Sequence, residues 1–128
     1  MSIGILIIAH GDLGQALIGA ASHVLGQRPE RLAAMSAGHD EPREMAEAQA
    51  RTLVAQLDAG AGVLVLTDLF GASTANIARG LLQDGRVAGI AGVSLPMVLR
   101  AVNYRHLPLV ELIEKVTSAA SECTASLS

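Results

Sequence analysis

The sequence predicts an α/β domain: a doubly wound, mainly parallel sheet of four strands in the order 2-1-3-4, with helices on both faces. Three observations predict it. Short apolar runs alternate with longer segments of helical spacing. The strongest runs, Ile5-Leu-Ile-Ile-Ala9 and Val63-Leu-Val-Leu66, are apolar without a break, as strands covered on both faces are. Glycine, proline and aspartate punctuate the joins.

The first run covers residues 3–9 and stops at His10, with Gly11 beside it. Asp12 can cap a helix over 15–25, in which Leu17, Ala20, Ala21 and Val24 recur at helical spacing and after which Gly26 ends the turn. A weaker, alanine-rich strand is predicted over 32–37. The polar stretch 38–42, with His39, reads as a loop at the same edge as His10. A helix follows over 43–58, with Met45, Ala48, Thr52, Leu53 and Leu57 on one side. The third strand is 63–67, and Asp68 follows at once. Ser73 is placed to cap a helix over 74–82. The fourth strand, interrupted by glycines, is 87–93. Ser94-Leu95-Pro96 opens a helix that runs to 104, with proline in its first turn. Leu107-Pro108 breaks it, and a last helix covers 109–120. Residues 1–120 form one domain, and the small, polar stretch 121–128 a flexible tail.

Composition narrows the function. Hydrophobic residues make up 51% and charged residues 16%, yet no apolar run is long enough to span a bilayer. The surplus suits a subunit interface. The net charge of −3, the scattered basic residues and the 2% aromatic content argue against a nucleic-acid partner. Cys123 is the sole cysteine, so no internal disulfide forms. No secretory signal is evident, which makes the cytoplasm the expected location.

In a sheet of this order the first and third strands are neighbours, and a crevice opens between their carboxyl ends. His10 and Asp68 stand at those two ends. An aspartate that bonds one imidazole nitrogen fixes the tautomer and leaves the other to attack. The helix that opens near Ser73 adds backbone N–H groups, and Gly71 clears space beside them. Together these groups suit a phosphoryl group carried on nitrogen, with His10 as nucleophile. The competing structural reading is a pair that only ties two strand ends together. His23, His39 and His106 receive no role. No metal and no cofactor are expected, and the lysine-containing phosphate loop of nucleotide enzymes is missing.

Three blocks carry a resemblance: Ile5-Leu-Ile-Ile-Ala-His10-Gly, Val65-Leu-Thr-Asp68-Leu-Phe-Gly-Ala-Ser73-Thr-Ala-Asn76 and Ile90-Ala-Gly-Val-Ser-Leu-Pro96-Met97. In order and spacing they resemble the mannose-type IIA domain of the bacterial phosphoenolpyruvate-dependent sugar phosphotransferase system. The resemblance implies a histidine phosphocarrier that accepts a phosphoryl group from HPr on His10 and passes it to a IIB partner for sugar uptake. Asp68 would orient His10. Gly71, Ala72 and Ser73 would lie by the phosphoryl group. Leu69, Phe70, Pro96 and Met97 would form an apolar rim for protein partners. A homodimer is implied, with the membrane reached only through separate IIC and IID chains. Ala72 and Thr74 depart from the family, which often has glycine and proline there, and Ser94 stands where asparagine is common. The alternatives are a stand-alone regulatory phosphoprotein and a phosphotransfer subunit of dihydroxyacetone kinase type. The dimer is checked by sedimentation at micromolar concentration, where a monomer alone would exclude it.

Overall fold

A computed structural model describes residues 2–37 and 41–128. The central strand β1 (Gly4–Ala9) pairs in parallel with β2 (Leu32–Ser36) on one side and β3 (Val63–Thr67) on the other. β4 (Val87–Ala91) pairs in parallel with β3, so the order is β2-β1-β3-β4, the predicted one. Every residue of β1 and β3 is buried. Their isoleucines, leucines and valines have apolar cover above and below, which is why neither strand alternates with polar residues.

Two helical layers supply that cover. On one face α1 (Leu13–Leu25), α4 (Leu95–Asn103), α5 (Leu109–Thr117) and α6 (Ala119–Glu122) enclose Ile5, Ile7, Leu64 and Leu66 with Ile18, Val98, Leu112 and Val116. On the other, α2 (Arg43–Leu57) and α3 (Ser73–Arg79) lie over Leu6, Ile8, Val63 and Val65 through Ala46, Ala50, Ile77 and Ala78. Alanines let α2 approach the sheet closely. α1 and α3 leave the adjacent strands β1 and β3 to opposite faces, which opens the crevice at their carboxyl ends.

Several boundaries differ from the sequence reading, each for a local reason. α1 starts at Leu13, and Asp12 stands at its N-cap without a side-chain bond. Its backbone, at φ −92° and ψ 7°, is near-helical, not extended, so the carboxylate does not turn back to the first N–H groups. On α2 the expected Leu53 and Leu57 do pack against the core, but Ala46 and Ala50 complete the buried side, and Met45, Ala48 and Thr52 are exposed. α3 ends at Arg79 because Gly80 closes it, and Leu81 turns into the core. β4 stops at Ala91, where Gly92 adopts φ +89°. The single helix expected over 109–120 is two, split at Ser118. Ser94 does cap α4, its hydroxyl accepting from the Met97 N–H.

The entry to β3 depends on Gly62. Its φ is +96°, and a Cβ there would come within 2.5 Å of the Arg86 carbonyl oxygen. Asp58 holds the same turn, accepting from the N–H groups of Gly60 and Gly62 at 2.8 and 3.1 Å. Gly62→Ala is therefore expected to cost about 2–4 kcal/mol, from backbone strain and overlap together. Urea unfolding monitored by circular dichroism measures it.

Candidate functional site

The β1–β3 register places Ile8 opposite Thr67, so the two residues that follow each strand end face one another. They include His10 and Asp68. Gly11, at φ +54°, turns the chain from β1 into α1, and the Leu13 N–H closes that turn on the His10 carbonyl at 3.2 Å. On the other strand the chain leaves β3 through Asp68-Leu69-Phe70-Gly71 and enters α3.

The Asp68 carboxylate accepts four hydrogen bonds. Oδ2 takes the His10 backbone N–H at 2.9 Å and stands 2.7 Å from His10 Nδ1. Oδ1 takes the Leu69 N–H at 3.0 Å and the Thr74 hydroxyl at 2.9 Å. A carboxylate has about four lone-pair sites, and all are used. The Asp68 side chain is 10% exposed and that of His10 36%, so the acid is sheltered while the imidazole reaches solvent. Burial pushes the Asp68 carboxyl upward. The bonds from the His10 backbone, the His10 ring and the Thr74 hydroxyl outweigh it, and the pKa lies below the ordinary carboxylate value. Asp68 is thus an anion at neutral pH, held against the ring.

The remaining predicted residues divide. Leu69 and Phe70 project from the loop, and Phe70, the only phenylalanine of the chain, is 75% exposed. Arg79 lies over its ring at 5.2 Å and donates to the Phe70 carbonyl at 3.3 Å. Gly71 is exposed, with open space where a Cβ would stand. Ala72 is the N-cap of α3, in extended conformation, and its N–H meets the Leu69 carbonyl at 3.4 Å. Ser73 is exposed at the first helical position and is not the cap. Pro96 is half-buried. Met97, expected on the rim, is 2% exposed and packs in the core, because it falls on the sheet-facing side of α4 with Val98 and Ala101. His23 and His106 are exposed on α1 and in the turn after α4, and His39 lies outside the described residues. Among the described residues no group of three metal-ligating side chains comes together. A cleft of about 150 Å³ between α3 and β4 shares Phe70 and Arg79 with this region but includes neither His10 nor Asp68. The chemistry sits on the more open ground beside it.

Thr74 is the contact the sequence reading missed. With Ser73 it has the residue type of a nucleophile or, more simply, of a helix cap, yet its side chain is buried against Asp68. The available signal was its place: a hydroxyl six residues after the acid, just inside a helix whose cap position, Ala72, has no polar side chain.

Fold and site define a class: an α/β domain with a histidine–carboxylate pair at the switch point of a parallel sheet. The comparisons carry this further. The family model described as the PTS system fructose IIA component, EIIA-man, matches residues 4–120. The chain belongs to that family: it is a IIA component of the sugar phosphotransferase system. No curated protein matches it. Among solved structures, it is similar to the phosphotransferase system component EIIA from Streptococcus agalactiae, at 22% identity over 97% of this chain and 96% of that one, with a TM-score of 0.85. The mannose/sorbose specific IIA subunit from Enterococcus faecalis also gives 0.85, at 19% identity over 100% and 96%. A PTS IIA protein associated with the fucose utilization operon of Streptococcus pneumoniae gives 0.76, at 25% identity over 93% of each chain. Among the described residues, no helix is long and apolar enough to cross a membrane.

The lowered pKa of Asp68 has a consequence for stability. A carboxylate with a depressed folded-state pKa stabilises the fold fully above its unfolded pKa of about 3.9. That contribution is lost as pH falls through the folded value. The stability difference between wild type and Asp68→Asn is therefore expected to shrink as pH falls below about 4. Thermal unfolding of both proteins across that range tests the sign.

Proposed function

We propose that the protein is a histidine phosphocarrier that accepts a phosphoryl group from HPr on His10 and passes it to a IIB partner for sugar uptake. The observation that carries this reading is the 2.7 Å contact between Asp68 Oδ2 and His10 Nδ1 at the ends of the two central strands. With Nδ1 committed to the carboxylate, attack falls to Nε2. The Nε2 lone pair forms the new bond to phosphorus. The P–N bond of the donor phosphohistidine breaks, and its electron pair returns to the donor ring. The His10 ring acquires positive charge as this happens, and its Nδ1–H stays on the Asp68 carboxylate, which offsets that charge. Transfer to the IIB histidine runs the same exchange with His10 as the leaving group.

The surroundings suit two successive protein partners. Gly71, Ala72 and Ser73 would receive the phosphoryl oxygens. Ala72 is the weakest donor of the three, because its N–H already turns toward Leu69. Leu69, Phe70 and Pro96 would be covered by either partner; burying Phe70 would contribute about 1.5–3 kcal/mol to docking. Residues 1–120 would form the functional unit; α6 continues to Glu122, so the tail expected from 121 would follow that helix. The chain would act in the cytoplasm as a homodimer, with separate IIC and IID chains carrying the sugar across the membrane.

The test is chemical. After incubation with phosphoenolpyruvate, enzyme I and HPr, the label is expected to be lost in mild acid and to survive alkali, as a phosphoramidate does. His10→Ala should abolish labelling without changing the circular dichroism. Acid-stable label, or label that persists in the His10 variant, would refute the reading. Asp68→Asn should still fold and transfer phosphate roughly 10- to 1000-fold more slowly. Single-turnover kinetics give that rate.

A further inference from the structure

We propose that Thr74 is a positioning residue for phosphotransfer: its hydroxyl bond to Asp68 Oδ1 locks the carboxylate so that Oδ2 keeps hold of His10 Nδ1. The kinetic part of this inference rests on the phosphocarrier reading, whereas the structural part does not.

Of the four donors to Asp68, three move with the strand ends themselves. The Leu69 N–H belongs to the next residue of the same loop, and both His10 donors belong to the group being positioned. Thr74 comes from a separate element. It is the second residue of α3, and α3 is anchored under the sheet by Ala75, Ile77 and Ala78. Among the described residues, it is the donor to the carboxylate that comes from a helix and not from a strand end. The terminal torsion of the carboxylate is broad, so it could rotate and carry Oδ2 away from the ring. Threonine suits this task because its branched Cβ restricts the side chain to few rotamers. A hydroxyl bonded to an ionised acceptor is also among the stronger hydrogen bonds.

Burial makes the arrangement exclusive. Thr74 is 0% exposed, so water is not at hand to replace the hydroxyl. The other groups near the carboxylate do not duplicate it. Arg79, the one charged residue of α3, is engaged by Asn76 Oδ1 at 2.7 Å and by the Phe70 carbonyl. Asp12, in the turn after β1, is exposed. β1 and β3 carry no charged residue. His10 is the titratable group in contact with Asp68.

The test compares Thr74→Val, which removes the hydroxyl and keeps the shape, with Thr74→Ser, which keeps the hydroxyl. Three quantities are read. One is the titration of the Asp68 carboxyl by carbon NMR. The second is the tautomer of the His10 ring by nitrogen NMR. The third is the single-turnover rate from phosphorylated HPr. In Thr74→Val the carboxyl is expected to titrate at higher pH than in wild type, since a donor to the charged form is gone. The ring is expected to show a mixture of tautomers, and transfer to slow by about tenfold or more. Thr74→Ser should restore all three. If Thr74→Val does not fold, Thr74→Cys, a far weaker donor, takes its place with the same readouts. An unchanged titration and an unchanged tautomer would overturn the proposal and leave Thr74 as a space-filling residue. NMR changes of the expected kind, with no label appearing on His10 even in the wild type, would sink the phosphocarrier reading and keep the positioning role.

Discussion

The Asp68 carboxylate is where the two central strands, the loop after β3 and helix α3 are joined. It accepts from the backbone and ring of the residue that ends β1, from its own loop, and from the helix beneath the opposite face. A buried anion is costly unless its lone pairs are satisfied. Here four donors satisfy them, and the carboxyl stays ionised in spite of its shelter. Those four bonds tie together the imidazole, the loop after β3 and the start of α3.

The sheet makes this possible because β1 and β3 are covered on both faces. Strands so enclosed have little freedom to slide, since a slip of one residue would exchange every side chain between the two cores. The register that puts Ile8 opposite Thr67 therefore holds His10 and Asp68 within hydrogen-bond reach. The His10–Asp68 pair is then placed by the hydrophobic pattern of residues that never touch it. On the solvent side, Leu69 and Phe70 stay out of the core, in the loop that follows Asp68.

Two residues near Asp68 depart from the pattern that the resemblance implied. Where the family often has glycine, Ala72 caps α3 in an extended conformation that alanine adopts without strain. Where proline is common, Thr74 places a hydroxyl on the carboxylate. Proline at that position has no donor to offer Asp68, so this chain ties its acid to α3 by a bond that the proline-bearing pattern does not contain. The fold itself is shared with structures at 19–25% identity.

By itself the sequence determined the class of fold, the strand order and the pairing of His10 with Asp68. Unbroken apolar runs mark doubly covered strands, and the right-handed crossover leaves few ways to connect them. The family was legible too, in three blocks that surround the strand ends. Only the tertiary structure decided how those ends are finished. Asp12 and Ser73 have the residue type of helix caps, but Asp12 has a near-helical backbone and Ser73 already lies inside α3, where Ala72 holds the cap position. Met97 has the chemistry of a rim residue and lies in the core, because the docking of α4 on the sheet turns that side inward. Thr74 reads as an ordinary polar residue in sequence. Its place six residues after Asp68 was visible, but the bond itself depends on how the loop after β3 folds back and α3 docks, which brings the hydroxyl to the carboxylate.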